Sequence, residues 1–332
     1  MSVLYVTEQG ASLRRRGQTI CVVKERALLA EVEVHTLEAV LVFGVAQVST
    51  QAMALLLRNG VETAFLTCDG RLRGQLTPAR PKNVTLRIEQ YRRSQDPAFC
   101  LTMARTVVLG KLENALGGIR RFQSNHPEAD LANSVRSIES ARDAAMRATD
   151  LDSLRGHEGA AAHAYFAAFR RMCLGSLEFP GRTRRPPRDP VNALLSLGYT
   201  LATNELQSLL DARGFDPYIG FLHEIHYGRP SLALDLLEEF RYPVVDRLTQ
   251  YLANKGILNP EDFESDPEIG VKLRPAGLRR YLAAWEEWLR RPVLDEPTGD
   301  KVSYREIFRR QAERLAGAIR GGAAYRPHRF LP

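Results

Sequence analysis

Two hydrophobic rhythms divide the chain. From Val3 to about Thr77 short apolar runs alternate with polar residues and are punctuated by glycine: VLYV, ASLRRRGQTICVV, AEVEV, AVLVFG, TAFLT and RLRGQL. A period of two marks strands with one face buried and one wet. One helix interrupts them. Ser49 and Thr50 offer its cap, Met53, Leu55, Leu56 and Leu57 its apolar side, and Asn59-Gly60 its end. Asp69-Gly70, set between two apolar runs, signals a hairpin that carries Arg71 and Arg73 to an exposed edge.

The stretch TPARPKN, with Pro78 and Pro81, reads as a linker. Beyond it the period becomes helical, over roughly 86–95, 97–124, 128–149, 159–175, 190–213, 231–254 and 302–320. Asp96-Pro97 and Asp189-Pro190 are start signals, because aspartate caps a helix and proline fits its first turn. The expected class is α+β: a strand-rich domain with one helix over residues 1–80, a linker over 81–88, and a larger all-α domain over 89–332. A chain of 332 residues exceeds the size at which a single core usually keeps growing, which agrees with two domains.

Charge narrows the choice of partner. Lysine and arginine number 46 against 39 acidic residues, a net +7, and only six of the 46 are lysines. Arginine, the planar fork that grips phosphate oxygens in pairs, therefore supplies nearly all the positive charge, which suits a polyanion; a GC-rich genome gives the same bias. Cys21, Cys68, Cys100 and Cys173 lie far apart in apolar contexts and read as reduced core residues of a cytoplasmic protein. The N-terminal sequence has no secretory pattern, and no run of eighteen apolar residues suggests a membrane span.

Candidate chemistry sits in three stretches of the helical region. In LRGHEGAAAHAYFAAF, Glu158 stands between Gly156 and Gly159 where an alanine-rich helix is expected to begin; ordinary dipole complementation explains a glutamate there, while Ala160, Ala161 and Ala162 leave room beside it. In GFLHEIHYGRPSLALDLLEEFR, Asp235 and Glu238 share one face of a helix otherwise covered by Leu232, Leu236, Leu237 and Phe240. A carboxylate among leucines needs an opposite charge, either an arginine such as Arg229 or Arg241 or a divalent metal. His223 ends the apolar run YIGFL and so faces the core, whereas His226 has polar neighbours and is expected at the surface, without an assigned role. One imidazole and two carboxylates suit Mn2+ or Mg2+. The third stretch, GRTRRPPRDPVNALLSLGY, crowds Arg182, Arg184, Arg185 and Arg188 onto a proline-stiffened loop, either a phosphate contact or a solvated surface. Metal beside arginines points to phosphodiester chemistry.

These three stretches, in their order along the chain, closely resemble the CRISPR-associated integrase endonuclease, the catalytic subunit of spacer acquisition, and particularly its type I members. The N-terminal VHTLEAVLVFGVAQVSTQAMALLLRNGVETAFLTCDGRL is similar to that family's β domain, so the likeness covers almost the whole chain. The resemblance implies a homodimer joined through the β domain, two such dimers flanking a dimer of a small ferredoxin-like CRISPR-associated partner in a heterohexamer, and double-stranded DNA, prespacer and CRISPR repeat, as substrate. It places the metal ligands and catalytic residues on Glu158, His223 and Glu238, a supporting acid on Asp235, and a DNA-proximal base on Arg241, with glutamate at 238 where some relatives have aspartate. It implies transesterification at a repeat phosphate by the 3′-hydroxyl of the incoming DNA, with Mn2+ or Mg2+ as cofactor. Two rivals use the same residues: a helical metal-dependent phosphohydrolase on nucleotides, although adjacent His-Asp pairs are lacking, and a non-catalytic DNA-binding scaffold. The tail GGAAYRPHRFLP reads either as a docking extension for partner or DNA or as a frayed end.

Overall fold

The computed structural model describes residues 2–68, 70–77, 83–183, 186–268 and 270–331. Asp69 of the expected hairpin, Pro78 and Pro81 of the expected linker, and Arg184 and Arg185 lie outside them. By contact the chain forms two compact units, Met1–Arg80 with Leu273–Glu286, and Pro81–Lys272 with Glu287–Pro332.

In the first unit β1 (Ser2–Val6), β2 (Ser12–Arg16), β3 (Thr19–Lys24), β4 (Ala27–Glu33), β5 (Leu37–Phe43), β6 (Gln47–Val48), α1 (Thr50–Arg58), β7 (Glu62–Leu66) and β8 (Leu72–Leu76) make two four-stranded sheets, ordered β1-β5-β7-β8 and β4-β3-β2-β6. β5 runs parallel to β1 and β7, with Leu4 opposite Val40 and Val40 opposite Thr63, while β8 returns antiparallel. The alternating apolar positions Val6, Leu13, Ile20, Val22, Val40 and Val42 meet Leu55 and Leu56 of α1 in one core. Each such side chain contributes about 1.5–3 kcal/mol on burial. The Ser49 hydroxyl accepts from the Ala52 amide, the cap that the sequence suggests.

The second unit is mostly helical. It holds α2 (Val84–Ser94), α3 (Pro97–Asn125), α4 (Ala132–Arg147), α5 (Leu151–Met172), α6 (Pro190–Arg213), α7 (Ser231–Leu237) and α8 (Arg247–Asn254). The hairpin β9 (Phe263–Asp266) and β10 (Gly270–Leu273) comes next. Then follow α9 (Pro275–Arg290), whose residues to Glu286 belong to the first unit, the hairpin β11 (Pro292–Asp295) and β12 (Asp300–Ser303), and α10 (Tyr304–Ile319). Asp96 and Asp189 cap α3 and α6 as their Asp-Pro signals indicate. Among the described residues no helix is long and apolar enough to cross a membrane.

Three expectations change. The helix carrying Glu158 begins at Leu151, capped by Asp150 accepting from the Ser153 amide at 2.8 Å, so Glu158 lies two turns inside α5 and not in its first turn. The helix expected over 231–254 is broken: α7 tightens into a 3-10 turn over Glu238–Phe240 and widens into a π turn over Arg241–Asp246 before α8. Pro243 is the cause, since it lacks an N–H and its ring clashes with the carbonyl one turn back. The two hairpins and α9 have no counterpart among the elements expected from the hydrophobic period.

Candidate active site

Three layers of the second unit converge on one group. Helices α3, α4 and α5 pack together, and α3 also packs against the irregular segment that follows α7. This brings Lys111 of α3, Glu158 of α5 and Glu238 after α7 into contact. The Lys111 ammonium donates to Glu158 Oε1 and lies 2.7 Å from Glu238 Oε2. Arg241 Nε donates to the same Glu238 oxygen at 2.9 Å, and His223 Nε2 stands 3.7 Å from Glu238 Oε1. Glu238 is 3% exposed. Burial alone would raise its carboxyl, but Arg241, Lys111 and His223 outweigh burial and hold it well below the usual carboxylate range.

Asp235 holds the histidine. Its Oδ1 accepts from His223 Nδ1 at 2.7 Å and from the His223 amide at 2.9 Å, while Oδ2 accepts from the amides of Phe221 at 2.6 Å and Leu222 at 3.0 Å. A carboxylate, which only accepts, is the group suited to four donors. The close approach requires glycine at 220, where a Cβ would lie 2.7 Å from Asp235 Oδ2. Arg155 of α5 clamps the same loop through the Leu222 carbonyl and Glu224. With Nδ1 committed to Asp235, Nε2 is the nitrogen left to face Glu238. That is the arrangement by which an outer carboxylate orients a metal-binding imidazole.

The donor set fits a hard divalent cation in its chemistry, two carboxylates and one oriented imidazole, and Lys111 already places a positive charge between the carboxylates. In this arrangement no three His, Cys, Asp or Glu side chains among the described residues are set so that they could hold a metal ion. The ammonium stands in for a cation. A cavity of about 30 Å³ opens beside Lys111, lined also by Ala161, Ala162, Tyr165, Tyr199 and Arg241. Behind it Tyr165 and Tyr199 donate to Asp246 at 2.8 and 2.5 Å, and the Arg241 guanidinium lies 4.7 Å from the centre of the Tyr199 ring. Burial pushes the Asp246 carboxyl up from its ordinary value.

The arginines separate by position. Arg182 turns inward: it donates to Asn192 Oδ1 at 2.6 Å and lies over the rings of Phe166 and Tyr199. Arg241 is held by Glu238, Arg188 is exposed and Arg229 partly so. His226 is exposed as expected, 3.4 Å from Glu224, although its immediate neighbours are Ile225 and Tyr227, both exposed as well. The tail is neither frayed nor free. Glu239, 2% exposed, accepts from Gln311 Nε2, the Tyr325 hydroxyl and the His328 amide, and Asn114 of α3 binds the carbonyls of Glu239 and His328 and the amide of Phe330. His328 stacks on Phe240, and Phe330 meets Tyr242 edge-on. The tail thus braces, from behind, the residue next to Glu238. Lys111 and this brace are not among the residues expected from sequence. A lone lysine inside the apolar run TVVLGKLENAL, in a chain whose basic residues are nearly all arginine, is the signal that points to the first of them.

Residues 4–287 match the family described as CRISPR associated protein Cas1. The chain belongs to the Cas1 family. "CRISPR-associated endonuclease Cas1 3" of Thermus thermophilus is 37% identical over 97% of this chain and 95% of its own length. "CRISPR-associated endonuclease Cas1 1" of Chlorobaculum tepidum is 34% identical over 97% and 96%. Among solved structures, a Cas1 protein from Thermotoga maritima superposes with a TM-score of 0.84 at 26% identity, covering 98% of this chain and 99% of that one. A casposase bound to integration product shares the fold, with a TM-score of 0.87 at 20% identity over 98% of this chain and 93% of that chain. The Cas1 fold thus has the strand-rich and mostly helical parts described above.

Proposed function

We propose that this Cas1 protein is a metal-dependent DNA endonuclease and integrase that inserts short foreign DNA into a CRISPR array by transesterification, serving adaptive antiviral defence in the cytoplasm. What supports the reading is that Lys111 holds Glu158 and Glu238 together, while His223, from a distant segment and fixed by Asp235, stands 3.7 Å from Glu238. Glu158, His223 Nε2 and Glu238 would hold Mn2+ or Mg2+, which when bound polarises the scissile phosphate and stabilises charge on its oxygens. The protein's own residues do the rest. Asp235 retains the Nδ1 proton, so Nε2 keeps its lone pair for the ion, and Arg241 and Lys111 supply positive charge where phosphate arrives. In the reaction a bond forms from phosphorus to the incoming 3′ oxygen, the bond to the repeat's own 3′ oxygen breaks, and the attacking hydroxyl's proton passes to the leaving oxygen through water. Water in place of that hydroxyl gives endonucleolytic cleavage.

The names of relatives, endonucleases of CRISPR systems, support the substrate class. Another solved neighbour is a Cas6-RT-Cas1–Cas2 complex, which supports a CRISPR-associated partner; that the partner is small and ferredoxin-like, in a heterohexamer on double-stranded DNA, is part of the proposal. Dimerisation through the β unit is supported by Leu28 and Leu29, half exposed on the outer strand β4. The test is strand transfer of a 3′-hydroxyl duplex into a repeat-bearing plasmid, with Mn2+ and with or without the partner. Product should appear with metal, vanish with chelator, and vanish in Glu158→Ala while DNA binding persists or strengthens, because a negative charge near phosphate is gone. Equal product with chelator would overturn the mechanism, and a nucleotide phosphohydrolase or an inert scaffold would give no strand transfer at all.

A further inference from the structure

The cation between the carboxylates belongs to the protein. Lys111 Nζ contacts Glu158 and lies 2.7 Å from Glu238, its side chain 16% exposed on the wall of the small cavity. A divalent ion held by those carboxylates would sit within a few ångströms of the ammonium, and like charges at that distance in a half-buried site repel strongly. Both cannot be retained by the same oxygens. We propose that Lys111 is a resident counter-ion that a divalent metal must displace, a positioning residue that keeps Glu158 and Glu238 together in the metal-free protein and sets the metal affinity of the site.

The inference rests on the metal reading above and adds a sign to it: removing this positive charge tightens metal binding. Arg241 is no substitute, since it contacts Glu238 from the Tyr199 side. The flexible four-carbon stem of lysine gives the ammonium freedom to swing out toward the cavity, and a compact, strongly hydrated ammonium moves with less loss than a bidentate guanidinium would.

Mn2+ binding to the full chain, read by loss of the free-ion electron paramagnetic resonance signal, tests this without any reaction. Lys111→Met should bind Mn2+ about tenfold tighter than the natural protein or better. Lys111→Gln, which keeps a polar side chain should the methionine variant fail to fold, should move the same way, and Lys111→Arg, which restores the charge, should not. Glu158→Gln should abolish the tight site in every background. Unchanged or weaker binding in Lys111→Met and Lys111→Gln, with Glu158-dependent binding in the natural protein, overturns the counter-ion role alone. Absence of Glu158-dependent binding in all of them overturns the metal reading and this inference with it.

Discussion

Asp235→Asn separates a site held by one carboxylate from a site merely near it. Asp235 accepts four hydrogen bonds, two on each oxygen, from the amides of Phe221, Leu222 and His223 and from His223 Nδ1, at 2.6 to 3.0 Å. Asparagine has one accepting oxygen. Whichever way it turns, its amide group faces a pair of N–H donors, so two of the four bonds are lost. Hydrogen bonds to a charged group contribute about 1.5–3 kcal/mol each, so the loss is roughly 3–6 kcal/mol, concentrated in the loop that carries His223. Freed from Nδ1, the ring no longer presents Nε2 to Glu238, and outer partners of this kind typically cost about 10- to 100-fold in metal affinity or activity. Mn2+ titration, strand transfer and thermal melting on one preparation report all three effects. Gly220→Ala, whose Cβ would lie 2.7 Å from Asp235 Oδ2, should move them in the same direction. If Asp235→Asn melts earlier yet binds metal and transfers strands within about threefold of the natural protein, Asp235 supports the fold and not the site, and the orientation argument fails.

The tail gives a pH prediction. Burial pushes His328 down from 6.5 to about 4, so its contribution to stability is present above pH 6.5 and lost as pH falls toward 4. Burial pushes Glu239 up from 4.5 to about 7, so its contribution is present below pH 4.5 and lost as pH rises toward 7. Each amounts to roughly 3 kcal/mol with opposite sign, so they offset in the natural protein. His328→Phe, which keeps the stacking, should expose the Glu239 slope and be less stable at pH 7 than at pH 5, as urea unfolding at the two values will show; equal stabilities would refute the assignment. Truncation after Ala324 removes the buried Tyr325, His328 and Phe330 and should cost at least about 4 kcal/mol in the same assay, because the tail docks on its own chain. For DNA, Arg188→Ala should lower the salt dependence of binding by about one counter-ion, whereas inward-facing Arg182→Ala should leave that slope unchanged and lower stability, a contrast read from binding isotherms across salt.

Much of the architecture is legible in the sequence because it is local. Strand alternation between Val3 and Thr77, the Ser49 cap and the Asp-Pro starts at 96 and 189 depend on a few neighbouring residues, and the elements form where those residues put them. Asp235 within leucine-rich α7, Glu238 just after it and the histidine after YIGFL stand out as polar groups in apolar company. What escapes is non-local or broken. Pro243 interrupts a period that otherwise runs through it. Asn114 meets Phe330 across 216 residues of sequence, a distance over which no periodicity reports. Helix α9 is a different omission: Leu278, Tyr281, Leu282, Trp285, Trp288 and Leu289 are all buried at helical spacing, so the signal is present in the sequence. The three acids and the histidine are expected to meet each other, with any counter-charge coming from arginine or metal; the structure adds a lysine in their midst.

The most direct measurement is anomalous diffraction from crystals of this protein grown with Mn2+. One manganese should be bound jointly by Glu158, His223 Nε2 and Glu238, with the Lys111 ammonium moved off the carboxylates. Manganese bound elsewhere, or held by none of these three while Lys111 still bridges Glu158 and Glu238, would contradict it.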